Sequence, residues 1–125
     1  MAESYVNEFP NFRAISGEDI AKGELVSISN SDGLMYLACA ATGIEELPAM
    51  GVAEAGTSTG DMAHAKRLGQ MDGYSSLDAG APVYVSNTPG NISVTAGDTS
   101  QIAGVAVSDT QWIIDPEIIA QQTQH

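Results

Sequence analysis

Apolar and polar residues alternate with a period of two in short runs, and turn formers separate the runs. Within residues 77–116, Val83 and Val85 alternate with Tyr84 and Ser86, a Pro89-Gly90 turn follows, and Ile92 and Val94 then alternate with Asn91, Ser93 and Thr95. That pattern predicts a two-stranded hairpin with one apolar face. A strand of small residues, Gly104-Val105-Ala106-Val107, comes next and leads to Trp112-Ile113-Ile114.

The same pattern occurs earlier in the chain. With Gly23 placed on Gly80, the segment KGELVSISNSDGLMYLAC lies without a gap on AGAPVYVSNTPGNISVTA, so that Val26, Ser29, Asn30 and Gly33 fall on Val83, Ser86, Asn87 and Gly90. The side-chain phase is kept, because Val26 and Ile28 match Val83 and Val85 while Met35 and Leu37 match Ile92 and Val94. After a spacer that differs by four residues, Gly51-Val52-Ala53 matches Gly104-Val105-Ala106. Agreement of identity, turn position and phase predicts a duplicated β-unit, with copies at about residues 15–56 and 72–116.

The remaining segments complete an all-β plan. Residues 62–69 carry another strand pattern, and the total of eight to ten short strands without a convincing helical period predicts a small β-barrel or sandwich in one domain, residues 14–116. Residues 1–13 place Tyr5, Val6, Phe9 and Phe12 around Pro10 with no clear period. Tyr5, Phe9 and Phe12 are three of the chain's six Phe and Tyr residues, and disordered tails are poor in aromatics, so this stretch reads as an extended arm that packs against something. Residues 117–125 form a short polar tail.

Composition narrows the function. A chain of 125 residues is one domain in prior expectation, and its core must come from small and aliphatic side chains, which makes association with further copies a natural supplement. Sixteen acidic residues against four basic ones give a net charge of −12, which disfavours nucleic acid and anionic membranes as partners. Lys66 and Arg67 are the only adjacent basic pair in the sequence. Cys39 is the sole cysteine and reads as a small core residue, so no disulfide within the chain is expected. Neither a secretory signal nor an apolar run of membrane-spanning length is legible.

Catalytic chemistry finds little to stand on. His64 sits between two alanines with no neighbouring Cys or His, and Asp98, Asp109 and Asp115 fall near turns, where Asp caps backbone groups, without the close ligand spacing of a calcium loop. Neither a Gly-x-Ser-x-Gly elbow nor a phosphate-binding Gly-rich loop with Lys occurs. The expectation is a protein that is not an enzyme and uses no cofactor or metal.

The pattern Leu77-x-Ala79-Gly80-x-x-Val83-Tyr84-Val85, Gly90-x-Ile92, Ile102-x-Gly104-Val105-Ala106 and Trp112-Ile113-Ile114-Asp115-Pro116 resembles the head decoration, or cement, proteins of tailed bacteriophages, with similar wording in phage head-fibre proteins. The earlier copy, Asp19-Ile20-x-Lys22-Gly23-Glu24, is similar to β-clip domains, which also occur in small sugar-acid-processing modules. The resemblance implies a β-clip-like barrel with duplicated hairpins, forming a homotrimer on the outer surface of the virion and bound to the major capsid protein. In that setting the arm residues Tyr5, Val6, Phe9 and Phe12 would dock on the shell, and Tyr84, Ile92, Val94 and Trp112 would be candidates for the oligomer interface. The alternative is a head-fibre or glycan-binding surface protein, for which Tyr84 and Trp112 would supply an aromatic platform.

Overall fold

The computed structural model describes residues 11–67 and 69–114, and all regular structure there is β. The strands are β1 (Asn11–Ile15), β2 (Leu25–Ile28), β3 (Met35–Leu37), β4 (Gly51–Ala53), β5 (Met62–Lys66), β6 (Gly69–Met71), β7 (Pro82–Val85), β8 (Ile92–Ser93), β9 (Ile102–Ala106) and β10 (Trp112–Ile114). They form two antiparallel five-stranded sheets, ordered β1-β5-β4-β2-β3 and β6-β10-β9-β7-β8. The all-β expectation therefore holds, in the form of two sheets.

These two orders are the same order. Replacing β1 to β5 by β6 to β10 converts one sheet into the other, so the duplication extends beyond the hairpins to a whole five-stranded unit. Strand pairing fixes which residues correspond. Ala53 pairs with Ala65, which pairs with Phe12; in the second unit Ala106 pairs with Trp112, which pairs with Met71. Phe12 thus occupies the position of Met71, and Ala65 that of Trp112.

Each unit builds its core on the same positions with large and small side chains exchanged. A Cβ added to Gly51 would lie 2.7 Å from the Phe12 ring, and one added to the matching Gly104 would lie 2.9 Å from the Trp112 ring. One aromatic side chain covers the equivalent glycine in both units. It comes from β1 in the first and from β10 in the second, and close packing then leaves room only for Ala65 or Met71 at the vacated place.

The two cores differ in how they are closed. The first consists of Ile20, Val26, Met35, Ala53, Ala63 and Ala65, with half-buried Phe12, Ala14, Ile28 and Leu37 packed on it, all from the first unit. The second contains the matching Leu77, Val83, Val85, Ala106, Met71 and Trp112, and adds Leu25, Ala38, Ala40, Ala49 and Val52 from the first unit. Leu25 and Val52 point away from their own core because strand residues alternate between faces. The outward face of the first unit is therefore the lid of the second.

Backbone hydrogen bonds pin this joint. Leu25 N–H donates to the Gly90 carbonyl at 2.8 Å and Gly90 N–H donates to the Ala38 carbonyl at 2.8 Å, so the Gly90 peptide inserts between the ends of β2 and β3. Gly90 adopts φ of 82°, and a Cβ there would lie 3.0 Å from the Glu24 side chain. Both the turn and the close approach call for glycine. Ala40 N–H also donates to the Ser86 carbonyl, and Thr99 N–H to the Ala40 carbonyl.

Candidate functional site

The outer face of the second sheet has the character of an interaction surface. Alternation sends Val83 and Val85 inward and leaves Pro82 and Tyr84 outside; likewise Trp112 and Ile114 are buried while Ile113 is exposed. Pairing aligns Gln70, Ile113, Val105 and Pro82 in one row across β6, β10, β9 and β7. A second row aligns Ile102, Tyr84 and Ser93. None of these seven side chains is charged. On a molecule of net charge −12, a contiguous uncharged sheet face with Ile113 at 41 % exposure is the kind of surface that pairs with another protein.

The candidate interface residues separate. Tyr84 is half-buried on this face, and Ile92 and Val94 line an open cleft of about 500 Å³ between the units, beside Lys22, Tyr74 and Leu77. Trp112 corrects the expectation. It is fully buried, with Tyr74 edge-on at 5.8 Å between ring centroids and an interplanar angle of 82°, so it offers neither an interface nor a glycan platform. The aromatic is large enough to fill the space over Gly104, and that is where it goes.

Among the arm residues, Tyr5, Val6 and Phe9 lie outside the described residues. Phe12 lies in β1, opposite Ala65 and above Gly51, which makes it part of the body and removes it from a free arm. Asp115 and Pro116 also lie outside the described residues.

Strand pairing reveals a basic ladder that linear reading missed. Arg13 stands opposite His64, and Asn11 opposite Lys66, on the outward side of β1 and β5, with Ile15 opposite Met62 at one end. Only cross-strand register brings Arg13 to within one rung of Lys66, since the two are far apart in sequence. The candidate signal was the matched alternation of the two strands, which fixes the faces and leaves the register open.

Acidic residues serve turns. Asp98 accepts from Thr42 N–H at 3.0 Å and from the Asn87 side-chain amide at 3.1 Å, tying the loop after β3 to the second unit. Those bonds, the Thr42 one foremost, hold its carboxyl below the usual range. Asp19 is lowered in the same sense by the Thr59 backbone and hydroxyl donors, and Asp32 by Tyr36 and Leu34. Tyr74 donates its hydroxyl to the Gly23 carbonyl at 2.7 Å, and burial raises its phenol. Cys39 is buried, with its thiol 3.2 Å from the Asn87 carbonyl. Among the described residues, no three His, Cys, Asp or Glu side chains converge on a common point suited to a metal ion.

Among the described residues, three buried side-chain polar atoms have no hydrogen-bond partner: Ser27 Oγ, Gln101 Nε2 and Trp112 Nε1. Gln101 is 2 % exposed, and its Oε1 accepts from Ala49 N–H at 3.2 Å, which locks it into the joint between units. No family model matches the chain, and neither does any curated protein.

Proposed function

We propose that this chain is a structural protein of a phage particle that binds the outer capsid surface as a decoration or cement protein. The observation that carries the reading is the uncharged outer face centred on Tyr84, Val105 and Ile113. It is set on a small acidic body whose two units interlock through buried backbone bonds. Such a body presents a wide, stiff surface, and the acidity favours an exterior position over one facing packaged DNA. The major capsid protein is the proposed partner, self-association into a homotrimer the proposed state, and the virion exterior the proposed location, with no catalytic role.

Cosedimentation of the purified chain with phage capsids stripped of it tests the reading. Binding that saturates at a copy number comparable with that of the shell subunits supports a cement protein. Saturation far below that number favours the head-fibre alternative, and absence of binding overturns both.

A further inference from the structure

The joint between the two units is a template for a joint between molecules. Six core positions of the first unit have core counterparts in the second: Ile20 and Leu77, Val26 and Val83, Ile28 and Val85, Phe12 and Met71, Ala53 and Ala106, Ala65 and Trp112. In the second unit this core is shut by the outward residues Leu25 and Val52 of the first, so that Val85 is fully buried and Met71 is 9 % exposed. Among the described residues the first unit has the same opening without that lid, and there Ile28 and Phe12 remain half-buried beside Ala14 and Leu37.

The matching outward residues of the second unit are exposed Pro82 and half-buried Val105, flanked by exposed Ile113. Among the described residues, one molecule thus ends in an uncovered lid at its second unit and an uncovered opening at its first. We propose that the outer face of the second sheet of one copy docks onto the open core face of the first unit of another copy, repeating the internal joint head to tail.

Two features fit this occupant, and a third sets the strength of the contact. The face is uncharged, which is the condition for close approach between two copies that each carry −12. The turn that would act as the wedge, with Gly33 in the place of Gly90, is exposed and its Gly33 N–H bonds to its own Ser29 carbonyl at 2.9 Å, as expected of a wedge not yet inserted. Pro82 stands where Leu25 donates its N–H, so the copied joint has one backbone bond fewer and rests on apolar contact. It is accordingly weaker than the internal one.

Head-to-tail contacts are heterologous, and they close into rings of three or more or run on as filaments. The inference deepens the self-association in the proposed function but is tested without any shell, so the two can fail separately. Sedimentation velocity of the full chain across micromolar concentrations is expected to show species of three copies or more. Their share should grow with salt as the mutual repulsion is screened.

Ile113→Glu should abolish these species and leave the far-UV dichroism unchanged, whereas Met62→Glu, on the outer side of β5, should leave them intact. A bis-maleimide should join an Ile113→Cys chain to an Ile28→Cys chain and should not join two Ile113→Cys chains, with buried Cys39 little labelled. Because Ile28 is half-buried, Leu37→Cys provides a second opening-side probe should the first variant unfold. A monomer at all concentrations, a dimer that crosslinks through Ile113 on both chains, or equal loss in Met62→Glu would overturn the proposal.

Discussion

Ser27 and Asp98 show how differently two polar side chains can stand in one small body. Ser27 is fully buried in β2 and its hydroxyl has no partner, so the group keeps its desolvation cost without a compensating bond. Ser27→Ala should therefore raise stability by up to about 1 kcal/mol, visible as a higher urea midpoint at unchanged slope. Asp98 is exposed and bonded to both units. Its native pKa is below that of the unfolded chain, so its contribution is complete above the usual carboxylate range near pH ~4 and is lost as pH falls through the lowered native value. Asp98→Asn, which cannot titrate, should flatten the acid limb of a plot of urea midpoint against pH. An unchanged limb would assign acid sensitivity to other carboxylates, with Asp19 and Asp32 next in line, since both are lowered in the same way.

Within the strands, the glycines beneath the aromatic rings decide packing. Gly104 pairs with Ile114 at the foot of Trp112, and a Cβ there would strike the Ile113 carbonyl as well as the Trp112 ring. Backbone cannot step aside as a flexible side chain can, so Gly104→Ala should cost about 3 kcal/mol or more by chemical denaturation. Gly33→Ala carries only the strain of its positive φ, because nothing lies within 4 Å, and should cost less. The hairpins were legible in the sequence because alternation and turn residues are local, and Val26 with Ile28 announced Val83 with Val85. Correspondence of β5 with β10 was not legible. The aromatic and the small residue change places between Phe12 and Ala65 on one side and Met71 and Trp112 on the other, which erases position-by-position similarity.

At the scale of the whole molecule, the lid from Leu25 and Val52 joins the fates of the two units. Unfolding the first would bare the core of the second, so we expect one cooperative transition. Trp112, the single tryptophan, reports on the second unit by its fluorescence, while far-UV dichroism reports on both. The two urea curves should coincide. Separate midpoints would show that the shared core does not couple the units. The existence of two copies, each with its hairpin, was legible from the match of residues 22–39 to 79–96. The sequence held no sign of which face of one copy would close the other, because that depends on Gly90 reaching between β2 and β3, a contact between residues far apart in the chain. For the same reason the uncharged outer face of the second sheet could be anticipated at Tyr84 but not at Val105 and Ile113, which join it only through pairing of Pro82 with Val105 and of Val105 with Ile113, residues far apart in the chain.

The exchange of large and small residues also bears on heredity. Duplicated segments in a gene can recombine with each other, and a crossover that gave one unit the β1 of the first copy and the β10 of the second would set Phe12 and Trp112 over the same glycine. The reciprocal product would set Met71 against Ala65 and leave a void where a ring belongs. Overfilling costs about 1–3 kcal/mol and a cavity of aromatic size about 3–5 kcal/mol. Selection would remove both products, and the two copies, once exchanged in this way, are free to diverge without being homogenised by their shared ancestry.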